Sequence, residues 1–188
     1  MLKLRVRCLS SHLFVSLAVW VLCMSAQIAC GTITRFMEVD TASQPKISVG
    51  HPAPTFELSD LEGNQISLLT QQGSPVVINF WASWCGPCKA EMKDLEAVYE
   101  DYHNQGLVLL SVNFKEPAEQ VIGYASQQKL TFPVLLDDHG NVSDLYLVKA
   151  IPATYFIDDE GIIQRIHIGS LTRENFEKIV LDLLIKGQ

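Results

Sequence analysis

Apolar positions recur along this chain in two rhythms, and the switches between them outline a series of elements. Val76-Val77-Ile78-Asn79-Phe80-Trp81 is an almost unbroken apolar run, the mark of a strand buried on both faces. From Pro87 to about Tyr102 the apolar residues fall at Met92, Leu95, Val98, Tyr99 and Tyr102, which is helical spacing. Lys93, Asp94, Glu96, Glu100 and Asp101 take the other face. Leu107 to Val112 predicts another buried strand, and Pro117, at an expected first helical position, starts a helix to about Lys129. Pro133 to Leu136 predicts a short strand, and Asn141 to Leu147 a short helix or turn. Thr154 to Ile157 and Ile162 to Ile168 predict two strands joined by the turn formers Asp158-Asp159-Glu160-Gly161. Thr172 is placed to cap a last helix with apolar positions at Phe176, Ile179, Val180, Leu183 and Leu184. Ahead of all these, short strands near Phe56–Leu58 and Gln65–Leu68 flank the turn Asp60-Leu61-Glu62-Gly63-Asn64. The predicted architecture is α/β, a mixed central sheet with helices on both faces and an N-terminal hairpin.

The first thirty residues follow a different rule. Lys3, Arg5 and Arg7 precede a stretch from Leu13 to Cys30 without a single charge. Residues 1–30 therefore read as a signal anchor or a lipoprotein signal peptide, 31–48 as a linker, and 49–188 as the folded domain. The basic flank stays in the cytoplasm, so the domain is expected on the extracytoplasmic face of the membrane. Ala29-Cys30-Gly31 resembles the end of a lipobox, although Gln27 stands where an aliphatic residue is usual. An uncleaved anchor, a lipidated Cys30 and plain secretion all stay open. The formal net charge of −7, with no basic stripe, argues against nucleic acid as a partner.

Of the five cysteines, only Cys85 and Cys88 fall in the predicted domain. They sit in Trp84-Cys85-Gly86-Pro87-Cys88-Lys89, where the apolar strand hands over to the helix. Free N–H groups and the helix dipole favour a thiolate at Cys85, which makes it the expected attacking sulfur. Cys88, one turn further on, can resolve a mixed disulfide. Zinc would need a second ligand pair at metal spacing, and haem attachment would need a histidine where Lys89 stands. No metal and no cofactor beyond the Cys85–Cys88 pair is expected.

Three more residues draw attention. Glu91 lies three positions after Cys88, on the same helix face, and its i−4 and i+4 neighbours, Pro87 and Leu95, offer no ion pair. It is either a solvated helix acid or a proton carrier for the thiols. Asn79 interrupts the buried strand and must be hydrogen-bonded there. Ile151-Pro152 marks either a strand edge or a cis peptide bond.

Together with Gly50, Ala53-Pro54-Thr55-Phe56, Val77 to Glu91, Tyr146, Val148 and Ile151 to Asp158, these residues resemble the thioredoxin superfamily. Within it they are similar to the TlpA/ResA-like membrane-associated thiol-disulfide oxidoreductases. The resemblance spans about Val49 to the C-terminus. It implies a cis bond before Pro152, substrate contacts through Trp84, Gly86, Pro87 and the Ile151 backbone, and an active-site role for Glu91. It also implies that Glu116 to Pro133 is an inserted helix-strand unit. Ala150 departs from the glycine frequent before the Ile-Pro dipeptide. Ile78 and Ala82 depart from the proline and the hydroxyl residue that peroxiredoxins carry at those places.

The expected function is a membrane-tethered dithiol reductase acting on secreted proteins such as apocytochrome c, re-reduced by a membrane electron donor. A thiol oxidase, and a non-catalytic binding or copper-transfer module using the Cys pair, are the alternatives.

Overall fold

The computed structural model describes residues 46–186; the apolar N-terminal segment, Cys30 and most of the linker lie outside them. The described chain is docked from its start. Ile47 packs on the core, the Gly50 N–H donates to the Ile163 carbonyl at 2.8 Å, and the Ile163 N–H donates to the His51 carbonyl at 3.0 Å. No helix among the described residues is long and apolar enough to cross a membrane.

The elements follow the two rhythms closely. Strands β1 (Glu57–Ser59) and β2 (Gln65–Ser67) form a separate antiparallel hairpin. Its turn is closed by the Asp60 carboxylate, which accepts from the Glu62 and Asn64 N–H groups and from Asn64 Nδ2. These bonds hold the Asp60 carboxyl below its ordinary pKa, against an opposing push from desolvation. The main chain of elements is β3 (Val76–Trp81), α1 (Gly86–Tyr102), β4 (Val108–Phe114), α2 (Ala118–Gln128), β5 (Val134–Asp137), α3 (Asn141–Leu145), β6 (Ala153–Ile157), β7 (Ile163–Ile168) and α4 (Arg173–Lys186). The sheet order is β5-β4-β3-β6-β7, with β3, β4 and β5 parallel and β6 and β7 antiparallel to their neighbours. The most apolar strand, β3, is therefore the central one, and all six of its residues are buried.

Three details differ from expectation. Strand β4 runs two residues further, to Phe114, because Asn113 and Phe114 find partners in Leu136 and Asp137. Pro117 stands one place before the helix with φ −60° and ψ 139°; its fixed φ suits the entry, but its ψ is still extended. Between Glu116 and Pro133 the structure holds the helix α2 alone; the strand expected there, β5, starts one residue later at Val134 and forms one edge of the sheet.

Side-chain alternation divides the core in two. Val77 and Trp81 of β3 join Leu109, Phe156, the inner stripes of α1 and α4, and Val121 of α2. Val76, Ile78 and Phe80 face the other way, with Leu110, Val112, Tyr155, Val142 of α3, and Phe56 and Leu68 beside the hairpin. The six-residue β3 thus has a helix-covered face and a hairpin-covered face.

Candidate active site

The site sits where β3 ends and α1 begins. Cys85 is the N-cap of α1, with extended φ −81° and ψ 110°, and its sulfur lies 3.2 Å from the Cys88 N–H. Gly86 and Pro87 fill the first turn, where proline removes no intrahelical bond. Cys85 and Cys88 form a disulfide with a Cα–Cα separation of 5.2 Å. Cys88 is fully buried, whereas Cys85 keeps 5 % of its surface exposed, so an approaching group meets Cys85 first.

A rim surrounds that sulfur. Trp84 is 64 % exposed, and Gly86 and Pro87 are exposed beside it. The Ile151 carbonyl lies 3.7 Å from Cys85 Sγ, across from the helix start. The Ile151-Pro152 bond is cis, as the family resemblance implies, and Pro152 is buried. The Gly169 N–H donates to the Pro152 carbonyl at 2.8 Å, which fixes the loop from the far side. A cavity of about 150 Å³ lined by Leu68, Val76, Ile157 and Gly161 lies at the opposite end of β3, away from the sulfurs. At the disulfide end, only the Cys85 edge reaches the surface, between exposed Trp84, Gly86 and Pro87 and the Ile151 carbonyl.

Glu91 is not a solvated helix acid. It is 1 % exposed, on the face of α1 that meets the sheet. Asn79 Nδ2 donates to its Oε1 at 3.0 Å, and the Leu171 N–H donates to its Oε2 at 2.9 Å. Burial pushes its pKa up to about 7; these two hydrogen bonds pull the other way, and the Asp94 charge adds a small upward push. The same Asn79 amide donates to Thr154 Oγ1 at 3.0 Å, two residues beyond Pro152. The network therefore ties the dithiol helix, the central strand, the strand after the cis-proline and the connection into α4.

A second buried acid escaped the reading of the sequence. Glu116 accepts from the Ser83 N–H at 2.6 Å, from Ser83 Oγ at 2.5 Å and from Asn113 Nδ2 at 2.7 Å. It clamps the segment two residues before Cys85 to the end of β4. Its only local signal is an acid directly before Pro117, and nothing in the spacing links it to Ser83. Thr154 and the Leu171 backbone were likewise invisible as partners of Asn79 and Glu91.

A central mixed sheet, a Cys-x-x-Cys disulfide capping the helix after its middle strand and a cis-proline facing it define a thioredoxin-fold thiol-disulfide oxidoreductase. The comparisons place it more closely. The chain belongs to the AhpC/TSA family, which matches residues 49–166, and within it to the ResA-like thiol-disulfide oxidoreductases. It is 36 % identical over 157 residues to the thiol-disulfide oxidoreductase ResA of Geobacillus kaustophilus, covering 84 % of this chain and 88 % of that one. It is 40 % identical over 140 residues to the thioredoxin-like protein YneN of Bacillus subtilis, covering 72 % and 81 %. Among solved structures, the thiol:disulfide interchange protein DsbE of Chlorobium tepidum superposes with a TM-score of 0.70 at 30 % identity, over 74 % of this chain and 99 % of that one.

Proposed function

We propose that this oxidoreductase works as a reductase of protein disulfides outside the cytoplasmic membrane, with Cys85 attacking, Cys88 resolving and Glu91 carrying the proton. The observation that carries the reading is the buried Glu91 carboxyl, its pKa pushed up to about 7 by burial, one helical turn after a buried Cys88 whose partner Cys85 alone reaches the surface. In the reduced protein the helix N-terminus favours a thiolate at Cys85. That thiolate attacks one sulfur of a substrate disulfide, forms a mixed disulfide and expels the other substrate sulfur as a thiolate, which takes a proton from solvent. Cys88 then passes its proton to the Glu91 carboxylate and attacks Cys85 Sγ. The second substrate thiolate leaves and is protonated. Two electrons pass to the substrate, and the enzyme is left in the disulfide form described above.

The substrate backbone lies extended across Trp84, Gly86, Pro87 and Ile151, and Pro152 holds the facing loop in place. The basic and then apolar N-terminus supports a tether that keeps the domain at the outer membrane face, held by an uncleaved anchor or a lipidated Cys30. Secreted proteins with Cys pairs, apocytochrome c among them, are the substrates within reach there, and a membrane-borne donor renews the dithiol.

Trapping tests this directly. A Cys88→Ser variant expressed in its own host should hold substrates as mixed disulfides on Cys85, released by dithiothreitol and named by mass spectrometry. Recovery of no secreted Cys-containing protein would remove the substrate assignment. A glutathione redox titration checks the direction: a potential below about −250 mV fits a reductant, and one near about −120 mV makes the protein an oxidant.

A further inference from the structure

The bonds around Glu91 leave one atom without a partner, and it belongs to Asn79. The Asn79 side chain is fully buried. Its Nδ2 serves both neighbours, donating to Glu91 Oε1 and to Thr154 Oγ1 at 3.0 Å each. Its Oδ1 is buried with no donor in reach. An unpaired buried amide oxygen is costly, and native cores contain few of them.

This arrangement suits an ionised Glu91. A carboxylate only accepts, and here it receives one N–H on each oxygen. A protonated Glu91 has the opposite need, because its O–H must find an acceptor. A half-turn of the Asn79 amide about Cβ–Cγ supplies one. It brings Oδ1 to the place of Nδ2, and both contacts then run backwards without any other heavy atom moving. Glu91 Oε1–H donates to Oδ1, and so does the Thr154 hydroxyl, which can act as either donor or acceptor.

We propose that Asn79 is a positioning residue that follows the proton on Glu91, donating to the carboxylate and, after a half-turn of its amide, accepting from the carboxylic acid. Each orientation leaves one end of the amide unpaired, so neither dominates by hydrogen-bond count alone, and the proton decides. Leucine at this place could serve neither state. Aspartate would itself titrate and share the proton with Glu91.

The surroundings leave this task to Asn79. On α1, Cys88 stands one turn before Glu91 and is held in the neutral disulfide, and the charge of Asp94 opposes ionisation. The hydrogen bonds to Glu91 come from Asn79 of β3, which is itself bonded to Thr154 of β6, and from the Leu171 N–H in the connection after β7. On α4, the Arg173 N–H holds Asp94, while its guanidinium is engaged by Asp101 and Glu177. The raised pKa of Glu91 means that both of its forms are populated near neutral pH. The inference rests on Glu91 as the proton acceptor of the proposed function.

Nuclear magnetic resonance of the full-length oxidised protein in detergent, labelled at Asn side chains and Glu carboxyls, decides it. Above the Glu91 midpoint the Asn79 Nδ2 protons should show Overhauser contacts to Thr154; below it those contacts should disappear. The Asn79 resonances and the Glu91 carboxyl should share one midpoint, and the Asn79 step should vanish in Glu91→Gln. In Asn79→Leu one bond is lost in each state of Glu91, so its midpoint should rise by less than about one pH unit, the margin by which the charge-assisted bond exceeds the neutral one. Contacts to Thr154 that persist on both sides of the midpoint would overturn the proposal, as would a rise of about two pH units in Asn79→Leu, the mark of an amide that serves the charged form alone. If that variant fails to fold, the wild-type contacts still decide. No substrate enters the measurement, so a coupled titration in a protein that traps no secreted partner would remove the substrate assignment and leave this inference standing.

Discussion

The two faces of the central sheet are built from the same strands and treat polar groups in opposite ways. On the face toward α3 and the hairpin, Phe56, Phe80, Tyr146 and Tyr155 pack edge to face or tilted. Their hydroxyls are paired: Tyr146 donates to the Pro54 carbonyl and Tyr155 to the Tyr146 carbonyl, each at 2.7 Å. Asp137, buried on that side, accepts from Val142 N–H and from both Ser143 N–H and Oγ, capping α3. On the face toward α1, α2 and α4 stand the disulfide, Glu91 and Asn79. Among the described residues, four buried side-chain atoms lack a partner, Asn79 Oδ1, Trp81 Nε1, Ser111 Oγ and Asn113 Oδ1, and the strand alternation puts all four on this second face. Among the described residues, the buried side-chain polar groups of one face are all paired, and those of the other include four that are not. Native proteins tend to break the rules of core design at functional sites, and here the departure is confined to one side of one sheet.

Removing the reactive sulfur should have the largest effect. Cys85→Ser leaves no accessible thiol, because Cys88 is fully buried. Insulin-disulfide reduction should fall to the uncatalysed background while the thermal midpoint of the reduced protein stays near that of the reduced wild type. Residual turnover in this variant would mean that Cys88 reaches substrate unaided, and the assignment of separate jobs to the two sulfurs would go with it.

The satisfied face should show the reverse split. Leu110 is 1 % exposed within its apolar cluster. Leu110→Ala should lose about 4 kcal/mol of stability, the transfer and cavity costs together. The rate per folded molecule should not change. A denaturant midpoint and an insulin assay corrected for the folded fraction check both halves; a slowed folded enzyme would show the two faces to be coupled.

Glu91 lets the comparison be made as a function of pH. Its folded pKa of about 7 lies above the ordinary 4.5, so its favourable contribution is complete below about pH 4.5 and is lost as pH rises through 7. The shift corresponds to about 3 kcal/mol between those limits. In Glu91→Gln, urea midpoints of the oxidised protein should lack this decline. The variant should also slow resolution by Cys88 by about a hundredfold near neutral pH, the usual scale for a lost proton acceptor. Equal pH slopes in wild type and variant would show that Glu91 is ionised at ordinary carboxylate pH.

Much of this was legible from the chain alone, and the failures share a cause. The strand-to-helix position of Cys85, the i+3 spacing of Glu91 and the Ile151-Pro152 dipeptide are local patterns, and the structure brings all three to one site. The state of Glu91 was not legible, because the groups that bind it stand at 79 and 171, and Asn79 is itself held by Thr154. Helical spacing names the face of a residue but not what covers that face. The Glu116 clamp on Ser83 spans 33 positions and two elements, which no periodicity encodes. Pro117 stands one residue ahead of its helix because proline fixes φ and leaves ψ to the fold.

The smallest expected effect probes the unpaired groups themselves. Ser111 lies in the middle of β4, fully buried, with its hydroxyl unpartnered between Asn79 of β3 and Val134 of β5. A hydroxyl that gains no bond in the core still loses its hydration on folding, so its removal should not destabilise. Ser111→Ala should raise stability by up to about 1 kcal/mol, with the rate unchanged. The same exchange at Ser143, whose hydroxyl donates to Asp137 at 2.6 Å, should instead cost about 1–2 kcal/mol. Matched denaturation curves for the two variants compare one serine on each face. A loss of stability at Ser111 as large as that at Ser143 would mean that its hydroxyl holds a buried water, and the unpaired groups would then be a hydrated polar network instead.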